Sequence, residues 1–212
     1  MSPETVSEQH AKADLVDRHG VSRETLARLE TYVDHLRHWQ KTTNLVAPST
    51  LSQIWSRHIL DSAQLLSLVP DARTWLDLGS GGGLPGLVLA CQLKELGGSV
   101  DLVESNSKKA AFLRHVVTSL SLPARVHSGR IETVMPSLPK FDVVTARALA
   151  TLSDLLGYTN ELLKSGTIGL FPKGRDYAAE LTEACKRWHF SYELHASRTE
   201  PEARIIRITA LS

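Results

Sequence analysis

Apolar residues in the first third of the chain recur at helical spacing, whereas from Thr74 onward they fall in short runs broken by turns. After Gly20, the positions Leu26, Leu29, Val33 and Leu36 follow one another at intervals of three and four, with Tyr32 and Trp39 beside them. That is the stripe of an amphipathic helix. Ser22 supplies its N-cap, and Glu24 sits in the first turn, where a carboxylate meets unpaired backbone N–H groups. The stretch 44–49 breaks this helix. A second helix is predicted from about Leu51 to Leu68, carrying Ile54, Trp55, His58, Ile59, Leu65 and Leu66 and closed by Val69-Pro70.

The remainder reads as strand, turn and helix in alternation. Predicted strands cover 74–78, 100–104, 124–127, 141–145 and 167–171, with a helix around Lys109 to Leu120 between the second and third. Each gap is long enough for a crossover helix, the pattern of a parallel sheet covered on both faces. The last two runs, 190–195 and 204–209, alternate with no helix between them and predict an antiparallel pair at the sheet's edge. The expected fold is α/β: a Rossmann-like, mostly parallel sheet with an antiparallel C-terminal strand over 70–212, under an N-terminal helical cap over 1–69.

With 212 residues, 42% of them hydrophobic, the chain has material for one good-sized core, which excludes wholesale disorder. No apolar run approaches the roughly 18 residues a membrane span needs. The polar, acidic start shows no signal-peptide layout. Two cysteines, Cys91 and Cys185, make neither a disulfide framework nor a four-thiolate metal site, so a reducing, cytoplasmic location is the expectation. A formal charge of +1 advertises no nucleic-acid partner for the chain as a whole. Between Glu104 and Arg147, however, the bases Lys108, Lys109, Arg114, Arg125, Arg130, Lys140 and Arg147 outnumber the acids Glu104, Glu132 and Asp142. A local basic surface is permitted there.

The strongest local signal is Asp77-Leu78-Gly79-Ser80-Gly81-Gly82-Gly83-Leu84-Pro85-Gly86. A strand runs into a tight glycine turn, and a helix begins near Pro85. Gly81, Gly83 and Gly86 satisfy the dinucleotide pattern G-x-G-x-x-G, while Asp77, Gly79, Gly81 and Gly83 satisfy acid-x-G-x-G-x-G. In the second reading Asp77 steadies the ammonium of an amino-acid-like moiety. Glu104, ending the next strand, binds ribose hydroxyls in either reading. None of the four tyrosines has a lysine four residues later, so the short-chain reductase pair is absent. S-adenosylmethionine is the favoured ligand, with a nicotinamide oxidoreductase as the competing reading.

The glycine stretch, preceded by Arg57-His58-Ile59-Leu60-Asp61-Ser62 and followed by Ser128-Gly129-Arg130-Ile131-Glu132, Thr145-Ala146-Arg147-Ala148 and Pro172-Lys173-Gly174, resembles the RsmG/GidB family. These are class I S-adenosylmethionine-dependent methyltransferases acting on a guanine N7 of 16S ribosomal RNA. The resemblance implies that Gly79 and Leu84 contact the cofactor, that Ile131 and Glu132 flank its adenine, and that Arg147 lies at the cofactor–substrate boundary. Two positions depart from the family's habit. Gly82 stands where Pro or Ala is usual, which would loosen the loop, and Pro172 precedes Lys173, which would alter how that lysine is aimed.

Absent residues argue as well. Cytosine C5 methylation needs a cysteine nucleophile, yet Cys91 falls among Leu89, Ala90 and Leu93, and Cys185 lies in a late polar helix. Exocyclic-amine methylation generally uses an Asn/Asp-Pro-Pro-aromatic turn after the fourth strand, where this chain has Thr145-Ala146-Arg147-Ala148. Guanine N7 carries no proton and a lone pair in the ring plane, so it needs no general base. Arg147 is then a candidate for O6, a phosphate or the donor's carboxylate, and Lys173 for an RNA phosphate or base edge. His58 and Asp61, three apart on one helical face, either bond to each other and tie the cap to the sheet or position the base at the pocket's lip. The His35–His38 pair has no third ligand nearby, so no metal site is expected. The expected substrate is 16S ribosomal RNA within the small subunit or an assembly intermediate, with neither DNA nor membrane as partner. A non-catalytic ribosome-assembly factor is a further alternative.

Overall fold

The computed structural model describes residues 3–212. Two helices open it, α1 (Pro3–His19) and α2 (Arg23–Trp39). The Ser22 hydroxyl accepts from the Thr25 N–H at 3.1 Å, as expected of the N-cap. The predicted stripe buries Leu29, Val33 and Leu36 and half-buries Leu26, with the neighbouring Tyr32 buried beside them. The expected helix at 51–68 is a chain of helical turns of changing pitch. It runs as 3-10 over Pro48–Gln53, π over Trp55–Leu60, one α turn (α3, Asp61–Ala63) and 3-10 again over Gln64–Leu68. Arg57 and His58 lie on the wide π turn, a form that recurs at functional sites.

Seven strands follow: β1 (Thr74–Leu78), β2 (Ser99–Glu104), β3 (Ala124–Ser128), β4 (Val143–Ala146), β5 (Ile168–Lys173), β6 (Phe190–Ala196) and β7 (Arg204–Leu211). Their order is β3-β2-β1-β4-β5-β7-β6, parallel throughout except β7, which runs antiparallel to both its neighbours. The connections are α4 (Gly86–Leu96), α5 (Ser107–Ser119), the single turn α6 (Ile131–Val134), α7 (Leu152–Lys164) and α8 (Tyr177–Arg187). Because β1 has β2 on one side and β4 on the other, strand order reverses there. The carboxyl edge at such a reversal is where open α/β sheets form a crevice.

β5 runs two residues past its predicted end. Its ladder with β4 stops at Thr145↔Leu170, while the ladder with β7 continues to Lys173↔Arg204. Pro172 thus sits where one side of the strand has no partner, a position that tolerates a missing N–H. The long β7 brings Arg204 back to the carboxyl edge.

Alternation along β1 divides the interior. Trp75 faces the cap, α4 and α5, in one cluster with Leu29, Tyr32, Leu36, Leu87 and Phe112. Leu76 and Leu78 face the opposite layer with Leu155, Leu156, Phe171 and Ile206. The cap therefore shares a core with one face of the sheet. Full burial of an aromatic such as Phe112 contributes roughly 1.5–3 kcal/mol. Cys91 is part of this core, and Cys185 is exposed.

Candidate active site

The turn after β1 is held mainly through backbone groups. Ser80 donates its N–H to Val103 O at 3.0 Å, and Gly83 donates to Ser80 O at 2.6 Å. The Glu104 carboxylate accepts from Gly81 N–H at 2.8 Å and Asn106 N–H at 2.7 Å, clamping the turn to the end of β2. From the cap, the buried Tyr32 hydroxyl donates to Gly82 O at 2.6 Å. The expected loosening at Gly82 is not what the structure has: Gly82 O is pinned, and a Cβ on Gly82 would come within 3.1 Å of Leu45 O. Gly79 adopts φ +66°, and a Cβ there would lie 2.6 Å from Leu149 Cδ1. Gly86 is needed for a different reason. A Cβ would fall 2.2 Å from Leu102 and 2.5 Å from Asp77 Oδ2, so α4 can approach the sheet only without a side chain. That is the packing role of the third glycine in the dinucleotide pattern, whatever ligand the turn holds.

Asp77 lies beneath this turn, fully buried. Oδ2 accepts from Gly86 N–H at 3.1 Å, while Oδ1 has no partner among the described residues. Burial pushes its pKa up to about 7, against the opposing pull of the hydrogen bonds from Ser80 and Gly86.

Facing the turn across a cavity of about 590 Å³ is a junction of side chains. Arg147, just past β4, reaches the cap: Nη2 donates to His58 Nδ1 at 3.0 Å, and Nη1 lies 3.4 Å from both Asp61 Oδ2 and Arg57 O. His58 Nε2 then donates to Thr50 Oγ1 at 2.8 Å, and Thr50 donates to Ala47 O. Burial, with Arg147 and Arg57 adding to it, lowers the His58 pKa to about 4, so the ring is neutral and acts as an acceptor. Asp61 Oδ1 accepts from Gln64, Thr199 and Ser197, tying the β6–β7 connection to the cap. Of the two alternatives for His58 and Asp61, the direct bond between them is not formed; both instead hold Arg147. The next residue, Ala148, has φ +53°, a conformation costly for a side chain and common at functional sites.

Lys173 ends β5 with its ammonium turned inward, donating to Ala150 O and Glu180 Oε2, each at 2.7 Å. The same Glu180 oxygen accepts from Leu152 N–H at 2.8 Å, capping α7. With only 8% of its side chain exposed, Lys173 braces the Arg147 segment from within.

The cavity wall includes Gly79, Gly81, Leu84, His58, Arg147 and Lys173, six of the residues expected from the sequence. Asp77, Gly83 and Glu104 support that wall from behind. Ile131 and Glu132 lie on α6, beyond β3, outside the lining. Glu104 O accepts from Gly129 N–H at 3.1 Å, so the chain leading to α6 meets the turn's support at the same sheet edge. Sequence reading missed Thr50, Thr199, Glu180 and Arg204, whose approach depends on the long antiparallel return or on contacts between separate helices. Elsewhere, His35 pairs with His115 at 3.2 Å on the outer surface.

Comparison with known proteins gives concordant results. The model of the GidB family, described as rRNA small subunit methyltransferase G, matches residues 25–205. A protein of Methylobacterium radiotolerans named ribosomal RNA small subunit methyltransferase G is 57% identical over 193 residues, covering 91% of this chain and 92% of its own. The protein of that name from Brucella anthropi is 52% identical over 192 residues, covering 90% of each. Among solved structures, the O-methyltransferase TomG of Streptomyces achromogenes, in complex with SAM, superposes with a TM-score of 0.61. It is 14% identical and covers 99% of this chain and 100% of its own.

Proposed function

The chain belongs to the GidB family, rRNA small subunit methyltransferase G, and from that premise we infer that it transfers a methyl group from S-adenosylmethionine to the N7 of a guanine in 16S ribosomal RNA. Its fold is that of the class I S-adenosylmethionine-dependent methyltransferases. The observation that carries the N7 assignment is the state of the cavity's titratable groups. Asp61 is engaged by Arg147, Glu180 by Lys173 and Glu200 by Arg57. His58 is a weak base whose free lone pair already accepts from Arg147. Each of these groups has a structural partner. Such a cavity suits an acceptor with no proton to lose, and guanine N7 is one.

The residues fit the donor. The turn Gly79–Leu84 offers backbone to a ligand lying along it, with the Glu104 carboxylate at its β2 end. Asp77, buried beneath the turn with one oxygen lacking a partner among the described residues, is suited to receive the donor's ammonium, whose charge would favour the ionised carboxylate. When bound, S-adenosylmethionine supplies a sulfonium methyl group that an in-plane nitrogen lone pair can displace. The chain's contribution is alignment, worth up to about 7–11 kcal/mol in favourable cases, and fixed dipoles around the developing charge. In this reading Arg147, restrained by His58 and Asp61, binds O6 or an anionic group beside the base. It does not bond N7 in the reactive complex, where that lone pair is the nucleophile.

The nicotinamide reading has no support from the family match. As substrate we favour RNA in a small ribosomal particle, in the cytoplasm, because the near-neutral chain has little global attraction for naked RNA. Labelled-methyl transfer to purified small subunits and to free 16S RNA, followed by nucleoside mapping, tests both points. The expected product is 7-methylguanine, formed faster on the particle. Label in 5-methylcytosine or N6-methyladenine refutes the chemistry, and particle binding without label points to a non-catalytic assembly factor.

A further inference from the structure

Five basic side chains line the cavity: Arg57, Lys109, Arg147, Lys173 and Arg204. Three are answered by acids, Arg57 by Glu200, Arg147 by Asp61 and Lys173 by Glu180. Among the described residues, Lys109 and Arg204 form no ion pair. Lys109 is on α5 just after β2, near the support of the glycine turn. Arg204 begins β7, paired in register with Lys173 across the β5–β7 ladder. It therefore belongs to the β5–β7 wall of the cavity, on the other side of β1 from β2.

Arg204 is also held ready. Its Nη1 donates to Pro201 O and Ala203 O, each at 2.7 Å, and its guanidinium lies 5.3 Å from the centre of the Tyr177 ring. Two carbonyls and an aromatic face thus restrict a side chain that would otherwise lose much rotamer freedom on binding. Neither anchor neutralises its charge, and among the described residues Nε and Nη2 have no partner. The adjacent cation Arg175, by contrast, pairs with Glu202 at 3.6 Å.

We propose that Arg204, backed by Tyr177, binds a backbone phosphate of the RNA strand that presents the target nucleotide to the cavity. This rests on the RNA-methyltransferase reading and gives Arg204 the phosphate contact that the inward-turned Lys173 ammonium is not free to make. A guanidinium with an open edge is suited to phosphate oxygens. Stacking on Tyr177 fixes the direction of that edge before RNA arrives.

The test is methyl transfer by the full chain to the RNA substrate at several salt concentrations, with donor affinity measured separately by calorimetry. Arg204→Gln is expected to raise KM for RNA about tenfold, with kcat within about twofold and donor affinity unchanged. The dependence of log(kcat/KM) on log[salt] should become shallower by about 0.7, one single-strand phosphate contact. Arg204→Lys should keep the salt slope, and Tyr177→Leu should raise KM without changing it. An unaltered KM and slope in folded Arg204→Gln overturns the assignment, as does a loss of donor affinity, which would put Arg204 in the donor site. If the parent chain binds donor but methylates no RNA, the underlying reading fails and this proposal with it. Parent activity with indifferent variants removes Arg204 alone.

Discussion

The two sides of the cavity are built on different plans. At the glycine turn the chain is fixed through its own backbone, by Ser80 N–H on Val103 O, Gly83 N–H on Ser80 O and Gly81 N–H on Glu104. Across from it, Arg147 is held by side chains from separate elements, His58 and Asp61 on the cap, with Asp61 in turn bonded by Thr199 of the β6–β7 connection. The first plan yields a rigid cradle that a side chain of the wrong size can spoil but few side-chain deletions can dissolve. The second yields a junction in which each partner can be removed singly, with consequences for chemistry before stability.

The sharpest way to expose that contrast is Gly86→Ala. A methyl group forced against Leu102 and Asp77 must push α4 off the sheet, at a cost of about 1–3 kcal/mol or more, so both the denaturation midpoint and donor affinity should fall. Gly157→Ala is the matching control. Its Cβ would meet Trp188 at an ordinary 3.6 Å, and replacing a helical glycine should stabilise the chain by roughly 0.5–1 kcal/mol.

On the opposite side, Arg147→Ala should leave the unfolding midpoint nearly in place while reducing single-turnover transfer about 10²-fold, the loss of one charged hydrogen-bonding group of about 1.5–3 kcal/mol. Arg147→Lys should recover little, because a single ammonium cannot reproduce the fork shared between His58 and Asp61. Full activity in Arg147→Ala would remove this residue from the site.

Asp77→Asn separates the two regions by pH. The folded chain keeps the Asp77 proton up to about 7, whereas the unfolded chain sheds it near the ordinary value of 3.8. Stability from this group is therefore fully present below about 3.8 and is lost progressively as pH rises from there through about 7. His58 works in the opposite sense: its folded pKa of about 4 lies below 6.5, so its contribution is lost as pH falls through that interval. Without donor, Asp77→Asn should melt higher than the parent at about pH 8.5, with an advantage that shrinks as pH falls below about 7 and is gone only below about 3.8. An advantage independent of pH contradicts the raised pKa.

The smallest effect is expected from Tyr32→Phe. It removes the donor to Gly82 O, about 1 kcal/mol, and should weaken donor affinity only a few-fold, since the turn's own backbone bonds remain.

The same contrast explains what could be read from the chain. The turn 77–86 was legible because its requirements are local: successive glycines, a preceding strand and a following helix lie within ten residues of each other. The mostly parallel sheet with its antiparallel end followed from the alternation of strands and helices, and the Ser22 cap from one side chain. Hydrophobic spacing did not disclose the π turn at Trp55–Leu60, since Ile54, Trp55 and Ile59 are buried in either helical form. Arg147 and His58 were found through motif resemblance, but their contact spans 89 residues. Thr199 reaches Asp61 across 138 residues, and Arg204 returns to the site only because β7 inserts between β5 and β6. No local pattern encodes those meetings. Lys173 lies at the carboxyl edge, but the Glu180 partner of its ammonium was not legible, because that carboxylate arrives from a helix whose packing the sequence does not display.

Central to all of this is a methyl transfer that uses no proton acceptor from the protein. Single-turnover transfer at saturating donor and RNA, followed from about pH 5.5 to 8, measures it directly. A rate constant flat across that interval, in the parent and in His58→Asn alike, is the expected outcome. Because a base of pKa about 4 would itself be flat over this interval, the contradicting result is one of size: a fall in rate of about 10²-fold or more in His58→Asn would make the imidazole a general base.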